Sequence, residues 1–447
     1  MDWKLKDKKY VWHPFTQMQE YEQGDPVVIE EADGVRLIDS EGNEYYDGVS
    51  SLWVNVHGHQ VDEIDEAIED QLDEVAHSTL LGQGNVRATE LAERLVEVTP
   101  DNLRKVFYSD SGATAVEIGM KMAIQYWANK AGEATERQTF LTFENGYHGD
   151  TFGPMSVVPD PTYHWPFQTV LPDPVQVPFP HVDRWPGTDD PETVLQECLD
   201  GIRSALDEEG ERVAGIMVEP VQGAGGMITA PDGFLSGLRS VADEYDQLLI
   251  VDEVATGFGR TGELFACDHE NVEPDIMPLG KGITGGYMPV AATMATQELY
   301  DEFLGTRQDK NALYHGHSYT GNALGCAAAV ASLDLLEDRL DSLPDKIDFI
   351  GDKLDEIRGM GFVREVRQEG FMCGIELMQN PQDDKPFGPE VEAGWTVCNI
   401  ARERGMLIRP LGDVVIFMPP LASNRPELEA MGEILINSLK EARKQLP

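Results

Sequence analysis

The sequence predicts an α/β fold with a mostly parallel sheet, joined to a smaller α+β domain, and three observations carry that reading. From Val106 onward, short apolar runs alternate with longer segments whose apolar residues recur every three or four positions. One run, 248–251, is apolar at every position, as a strand buried on both faces is. The chain has 447 residues, too many for one simple core, and from about Asp345 the alternation gives way to helix, short strands and a final helix.

Residues 62–74 set Ile64, Ala67, Ile68 and Leu72 on one helical face and acids on the other. A strand over 106–108 leads into a helix over 113–127, whose inner face carries Val116, Met120, Ala123 and Trp127. Further strands are expected at 140–143, 213–218 and 248–251. A helix over 233–245 aligns Phe234, Leu238, Val241 and Tyr245. Between 154 and 191 lie Pro154, Pro159, Pro161, Pro166, Pro172, Pro174, Pro178, Pro180, Pro186 and Pro191. That stretch is expected to be a long irregular excursion, anchored by Trp165, Phe167, Phe179 and Trp185. The last helix is expected over 426–444. The domain division is then an N-terminal segment, 1–60, packing with the small domain; a large sheet-bearing domain, 61–335; and the small domain, 336–447.

Composition narrows the class. The hydrophobic fraction of 41% is ordinary for a globular protein, and no apolar run approaches the ~20 residues of a membrane span. Residues 1–10 are charged and carry no apolar signal region. Cys198, Cys267, Cys326, Cys373 and Cys398 are scattered, which fits reduced thiols, so a cytoplasmic location is expected. Eighty Asp and Glu against 34 Lys and Arg give a formal charge of −46. These acids are spread among apolar segments rather than gathered in a tail. Such a surface repels itself in dilute salt and is screened in concentrated salt, so a halophilic cytoplasm is the expected source. The same charge argues against nucleic acid as a partner.

The residues that follow the strands carry the chemistry. After 106–108 comes Ser109-Asp110-Ser111-Gly112-Ala113-Thr114, small residues at a helix start, where free N–H groups and the dipole favour a phosphate. An ordinary helix cap uses the same residues. After 140–143 comes Glu144-Asn145-Gly146-Tyr147-His148-Gly149-Asp150, with Tyr147 able to stack on a flat ring or simply to pack in its loop. Glu219 follows the strand at 213–218, and Asp252 the strand at 248–251. Lys281 stands between Gly280 and Gly282 in an apolar surrounding. A desolvated lysine that can react as a neutral amine and an aspartate that keeps a pyridine nitrogen protonated are the requirements of pyridoxal-phosphate chemistry. Taken singly, Asp252 and Lys281 could be a salt bridge; four strand-end motifs facing one crevice point to a site.

Three other motifs compete. Gly257-Phe258-Gly259-Arg260-Thr261-Gly262 spells G-x-G-x-x-G, but Asp252 and Glu253 separate it from the strand and no convincing helix follows, so a dinucleotide site is disfavoured. His57-Gly58-His59 and His315-Gly316-His317 lack a third ligand at metal spacing, so no metal is expected. Asp275 stands where a Walker A loop ending at Lys281 would need its first glycine.

The run from Asp252 to Gly262, followed by Gly280-Lys281-Gly282, resembles the signature of the class III aminotransferases, pyridoxal-phosphate enzymes of fold type I. The resemblance extends over nearly the whole chain through Trp12-His13-Pro14-Phe15-Thr16-Gln17-Met18, Ser50-Ser51-Leu52-Trp53-Val54-Asn55-Val56-His57-Gly58, Gly146–Gly153, Glu219–Met227 and His315–Asn322. It is strongest to the branch that serves biotin biosynthesis. That implies transfer of an amino group to the keto acid 8-amino-7-oxononanoate, giving 7,8-diaminononanoate, with S-adenosylmethionine or lysine as the small-molecule donor. An ω-amino-acid transaminase is the alternative within the class. The resemblance also implies a homodimer with shared active sites, in which Ser318 reaches the phosphate of the neighbouring subunit's cofactor. Catalysis would rest with Lys281, Asp252 and Tyr147. Ser111, Gly112, Ala113, His148, Glu219, His317 and Ser318 would complete the cofactor site. Phe15, Trp53, Gly316 and Arg409 would join Tyr147 and Lys281 around the substrate, with Arg409 on its carboxylate. Members that use S-adenosylmethionine typically carry Tyr at the place of Phe15 and Trp at that of Leu52; the lysine-using branch looks closer at both.

Overall fold

In the computed structural model, which describes residues 2–158 and 164–447, a seven-stranded sheet forms the centre. Across it run Leu103–Ser109, Ala291–Thr296, Ile276–Leu279, Leu249–Val251, Val213–Val218, Thr139–Phe143 and Val175–Val177. Ala291–Thr296 is antiparallel to both its neighbours, and the other pairs are parallel. Val213–Val218, Leu249–Val251 and Ile276–Leu279 are buried at every position. Helices cover both faces, which is why these strands read as unbroken apolar runs. On one face lies Gly112–Ala131, its Val116, Met120, Ala123 and Trp127 packed with Phe140, Met217 and Ile276. It ends at Gly132, whose φ of 73° supplies the left-handed cap. The other face meets the main core, with Leu91 and Leu95 of Val86–Val98, Ile202 and Leu206 of Pro191–Glu209, and Phe234, Leu238 and Val241 of Phe234–Glu244.

Two smaller sheets complete the structure. Val363–Glu369, Met372–Leu377, Val414–Phe417 and Arg409–Leu411 form an antiparallel sheet. Helices Leu343–Arg358, Ala393–Glu403 and Arg425–Gln445 accompany it, the last one residue longer at each end than expected. The other sheet joins Ile29–Asp33, Arg36–Asp39 and Glu44–Asp47 to Met406–Leu407, so strands from opposite ends of the chain are paired. Helix Ala323–Leu340 runs unbroken through 335/336, where the sequence pattern put a domain boundary; the chain turns only after it, at Asp341 and Ser342.

Two further expectations change. Helix Asp62–Glu74 forms and buries Ile64, but Gln71 occupies its inner face while Leu72 is 57% exposed. Gln71 is seven residues from Ile64, two full turns, whereas Leu72 falls about 100° further round. The Gln71 amide is satisfied there by the Val75 carbonyl and the Arg87 guanidinium. The proline-rich stretch, of which Pro159 and Pro161 lie outside the described residues, is not uniformly irregular. It holds the end of helix Phe152–Val157 and the sheet's edge strand Val175–Val177. That strand sits between Pro174 and Pro178, which an edge tolerates because its outer side pairs with no neighbour. Phe179 is buried and Trp185 half-buried, whereas Trp165 and Phe167 are exposed, Phe167 meeting only the edge of the Phe152 ring at 6.0 Å.

Candidate active site

Because the strands are parallel, their carboxyl ends share one edge of the sheet, and the residues singled out from the sequence gather there. Asp252 follows Leu249–Val251, Glu219 follows Val213–Val218, and Tyr147 and His148 come after Thr139–Phe143. Lys281 follows Ile276–Leu279 after one glycine.

At the centre, His148 Nδ1 lies 2.7 Å from Asp252 Oδ2, with both residues 5% exposed. The other oxygen of Asp252 accepts the Val254 amide at 3.0 Å. Burial opposes a charged His148, but the hydrogen bond and charge of Asp252 outweigh it and raise the imidazole pKa. Asp252 is thereby held in one orientation by a cation on one side and a backbone amide on the other. Glu219 accepts the Tyr147 amide at 2.7 Å and the Gly223 amide at 3.2 Å. Burial pushes its pKa up to about 7, with His148 pulling down and Asp252 adding to the rise. The Tyr147 hydroxyl donates to Asp150 at 2.8 Å, and its ring remains half-buried.

Burial lowers the Lys281 pKa against the pull of Asp252 and Glu219, which moves the amine toward its neutral, nucleophilic form. Its Nζ has no hydrogen-bond partner among the described residues; it stands 4.8 Å from the centre of the Trp53 ring. Trp53 is buried and reaches this place on an unusual backbone. Ser50, Ser51, Leu52 and Trp53 have φ of 51°, 48°, 74° and 69°, four successive residues in the left-handed region. Such a turn costs roughly 1–2 kcal/mol per residue. Three groups hold it. Asp47 accepts the Ser51 amide and hydroxyl, each at 2.7 Å. The Ser50 hydroxyl donates to the Met418 carbonyl at 2.7 Å. Buried Arg260 donates to Ser50 Oγ, the Pro419 carbonyl and the Asn55 carbonyl.

Helix Gly112–Ala131 begins with a capping box in which Ser111 and Thr114 satisfy each other's backbone amides. Between them stand the amides of Gly112 and Ala113, in the first turn, where the positive end of the helix dipole lies. Space there is tight: a Cβ on Gly112 would come within 2.4 Å of Val254 Cγ1. His317 Nε2 is 3.9 Å from Asp110 Oδ1, beside this helix start. Gly316 has a φ of 152°, and Ser318 is exposed, its carbonyl accepting from His77 Nε2 at 2.7 Å. Arg409 forms no ion pair among the described residues; its Nη2 approaches the Phe15 carbonyl at 3.5 Å. Arg409 pairs across the strands with Ile416, which packs in one cluster with Trp53.

The set fits a phosphorylated pyridine aldehyde. It offers a reactive amine without a hydrogen-bond partner, a carboxylate oriented for a ring nitrogen, a half-buried aromatic ring and a helix end for a phosphate. The competing motifs have structural occupations. Gly257–Gly262 forms a tight loop followed only by the short turn Ala266–Glu270. His57 bonds Ser332, His59 bonds Asn55 and His315 bonds Lys121. Sequence reasoning missed two contributors, Asp150 and Arg260. Both lay inside motifs quoted for other residues, and a single conserved-looking motif does not say which of its members faces inward.

The aminotransferase class-III family model matches residues 18–439. A protein from Anoxybacillus flavithermus named adenosylmethionine-8-amino-7-oxononanoate aminotransferase is 49% identical over 444 residues, covering 99% of this chain and 96% of its own. The crystal structure of a protein of that name from Methanocaldococcus jannaschii superposes with a TM-score of 0.92 at 41% identity, covering 98% of both chains. An amine transaminase from an uncultivated Pseudomonas species, solved in its PLP-bound form, has a TM-score of 0.91 at 33% identity, covering 97% of this chain and 99% of its own.

Proposed function

The chain belongs to the class III aminotransferases, and we propose that it aminates 8-amino-7-oxononanoate to 7,8-diaminononanoate in biotin biosynthesis, with pyridoxal 5'-phosphate as cofactor. The names of full-length relatives at 42–49% identity support the substrate. The observation that carries the chemistry is Lys281, an amine without a hydrogen-bond partner one strand away from the Asp252–His148 pair. The donor is S-adenosylmethionine or lysine; the relatives' names favour the first, while Phe15 and Leu52 favour the second.

When bound, pyridoxal phosphate supplies an electron sink and a carbon that carries the amino group between two half-reactions. Lys281 would hold the cofactor at rest through its amine, and once free would move the proton at the substrate carbon. Asp252 would keep the ring nitrogen protonated, and His148 keeps Asp252 aimed. Tyr147 covers the ring face. Glu219 stands near its substituents and holds the Tyr147 amide. The Ser111, Gly112 and Ala113 segment receives the phosphate. Arg409 takes the substrate carboxylate, and Phe15, Trp53 and Gly316 shape the space around it. We further read the enzyme as a cytoplasmic homodimer, His317 and Ser318 completing the neighbouring subunit's cofactor site, in a three-part chain of residues 1–60, 61–335 and 336–447.

The test is a half-reaction followed by visible absorbance in concentrated potassium chloride. Loss of the lysine-bound cofactor band with S-adenosylmethionine or lysine, and its return with 8-amino-7-oxononanoate, is the expected result and names the donor. Lys281→Ala should retain the cofactor non-covalently and turn over nothing measurable. An enzyme with a normal band that neither donor bleaches, but that ornithine or 4-aminobutyrate does, is instead an ω-amino-acid transaminase. The likeness to the amine transaminase supports that second reading.

A further inference from the structure

The first two helices, Trp3–Tyr10 and Met18–Gln23, bury no residue at all, and Tyr10, Trp12 and Phe15 between and beside them are 73%, 88% and 65% exposed. A segment so poor in apolar contact needs another reason to keep one shape. That reason is a polar cluster. Asp7 Oδ2 receives the Tyr21 hydroxyl at 2.5 Å and His13 Nε2 at 2.8 Å, and the His13 and Tyr21 rings lie 4.2 Å apart. These three are half-buried where most of their neighbours are exposed, so they are the interior of this hairpin. One carboxylate oxygen thus ties the first helix, the connecting loop and the second helix together. The two hydrogen bonds hold the Asp7 carboxyl below its usual range against the effect of burial, while burial, with the Asp7 hydrogen bond and charge added, raises the Tyr21 hydroxyl pKa.

The loop that the cluster closes ends in a definite contact. Phe15 is held at a φ of 48°, and its carbonyl faces Arg409 Nη2 at 3.5 Å. No carboxylate of this strongly acidic chain pairs with Arg409 among the described residues, so this carbonyl is the guanidinium's one polar contact. We propose that Asp7, His13 and Tyr21 are positioning residues for substrate-carboxylate recognition: they fix the Phe15 carbonyl, which aims the Arg409 guanidinium. The inference rests on the assignment of Arg409 to the carboxylate. A neutral carbonyl orients the fork through one N–H and leaves its remaining donors and its charge for a ligand. A carboxylate at the same place would neutralise it.

The experiment compares kcat/KM for 8-amino-7-oxononanoate with that for its methyl ester, in wild type and in Asp7→Ala, Asp7→Asn and Tyr21→Phe, with PLP-loaded enzyme in concentrated potassium chloride. Asp7→Ala should lower the acid:ester ratio about tenfold, through the acid alone, since one oriented charged contact is weakened. Asp7→Asn, whose amide oxygen still accepts both donors, should restore most of the ratio; Tyr21→Phe should lower it about threefold, the neutral part of the clasp. Equal losses for acid and ester would mean a purely structural role and overturn the proposal, as would an unchanged ratio in Asp7→Ala. If Asp7→Ala fails to fold, Tyr21→Phe and Asp7→Asn decide by the same ratio. Failure of the biotin-pathway reading shows separately, as a wild type that does not use the keto acid. The ratio is then read on the amino acid it does use and that compound's ester.

Discussion

Replacing Asp252 by asparagine separates what the Asp252–His148 pair does for the fold from what it does for the reaction. The side chain keeps its size, and Oδ1 can still accept the Val254 amide now received at 3.0 Å. What disappears is the charge 2.7 Å from His148 Nδ1. Burial then governs His148 and the ring becomes neutral, able to accept from the new amide, so the loss of stability should be limited to about 1–2 kcal/mol. The barrier should suffer more. A fixed charge aimed at the cofactor in a water-excluded site is worth roughly 10²–10³ in rate, or about 3–4 kcal/mol. The sign with pH is also set. The His148 pKa is raised in the folded protein, so the pair's contribution is fully present below about pH 6.5 and is lost as pH rises through the raised value. The stability gap between wild type and variant should therefore be widest in mild acid and narrow toward alkaline pH. Single-turnover bleaching at saturating cofactor gives the rate, chemical denaturation at several pH values gives the stability, and imidazole NMR signals report the charge of His148. A turnover within about threefold of wild type, with His148 still protonated near neutrality, would refute the reasoning.

In the cofactor-free protein, Glu219 carries a pKa of about 7 against an ordinary 4.5, so its contribution to stability is full below about pH 4.5 and declines as pH rises through about 7. Glu219→Gln should remove that decline, on the order of 3 kcal/mol, as read from denaturant midpoints at pH 5 and 8. Gly112→Ala would set a methyl group 2.4 Å from Val254 Cγ1; it should cost about 1–3 kcal/mol of stability and weaken PLP retention in gel filtration, and normal retention would place the phosphate elsewhere. With a formal charge of −46, the melting temperature should climb with potassium chloride up to molar concentrations, and a maximum in dilute buffer would contradict the halophilic reading.

Much of this architecture is legible because strands buried on both faces cannot hide. The runs at 213–218 and 248–251 coincide with strands at the sheet's centre, and each is followed by a buried carboxylate, Glu219 or Asp252. The lysine was legible from its setting between glycines, and the helix at 62–74 from its acids. The sheet's margins were not. Val175–Val177 is three residues long between prolines, and short edge strands leave almost no periodic signal. At Leu72 hydrophobicity and helical phase disagree, and phase prevails: two turns from Ile64, the structure seats the Gln71 amide. The left-handed course of Ser50–Trp53 contains no glycine and gave no sign of itself. The approach of Phe15 to Arg409, 394 positions apart, is a product of tertiary packing alone.

That left-handed stretch has a consequence for how such an enzyme can change. Glycine adopts this backbone without penalty, so at Leu52, exposed and next to the Trp53 that stands by Lys281, a single replacement would ease folding. Because Asp47, Ser50 and Arg260 grip the segment by its ends and backbone, the exposed Leu52 side chain can vary without loosening the grip. Position 52 is in this sense an adjustable panel, a place at which a lineage could tune the wall beside Lys281 while the floor beneath stays as it is.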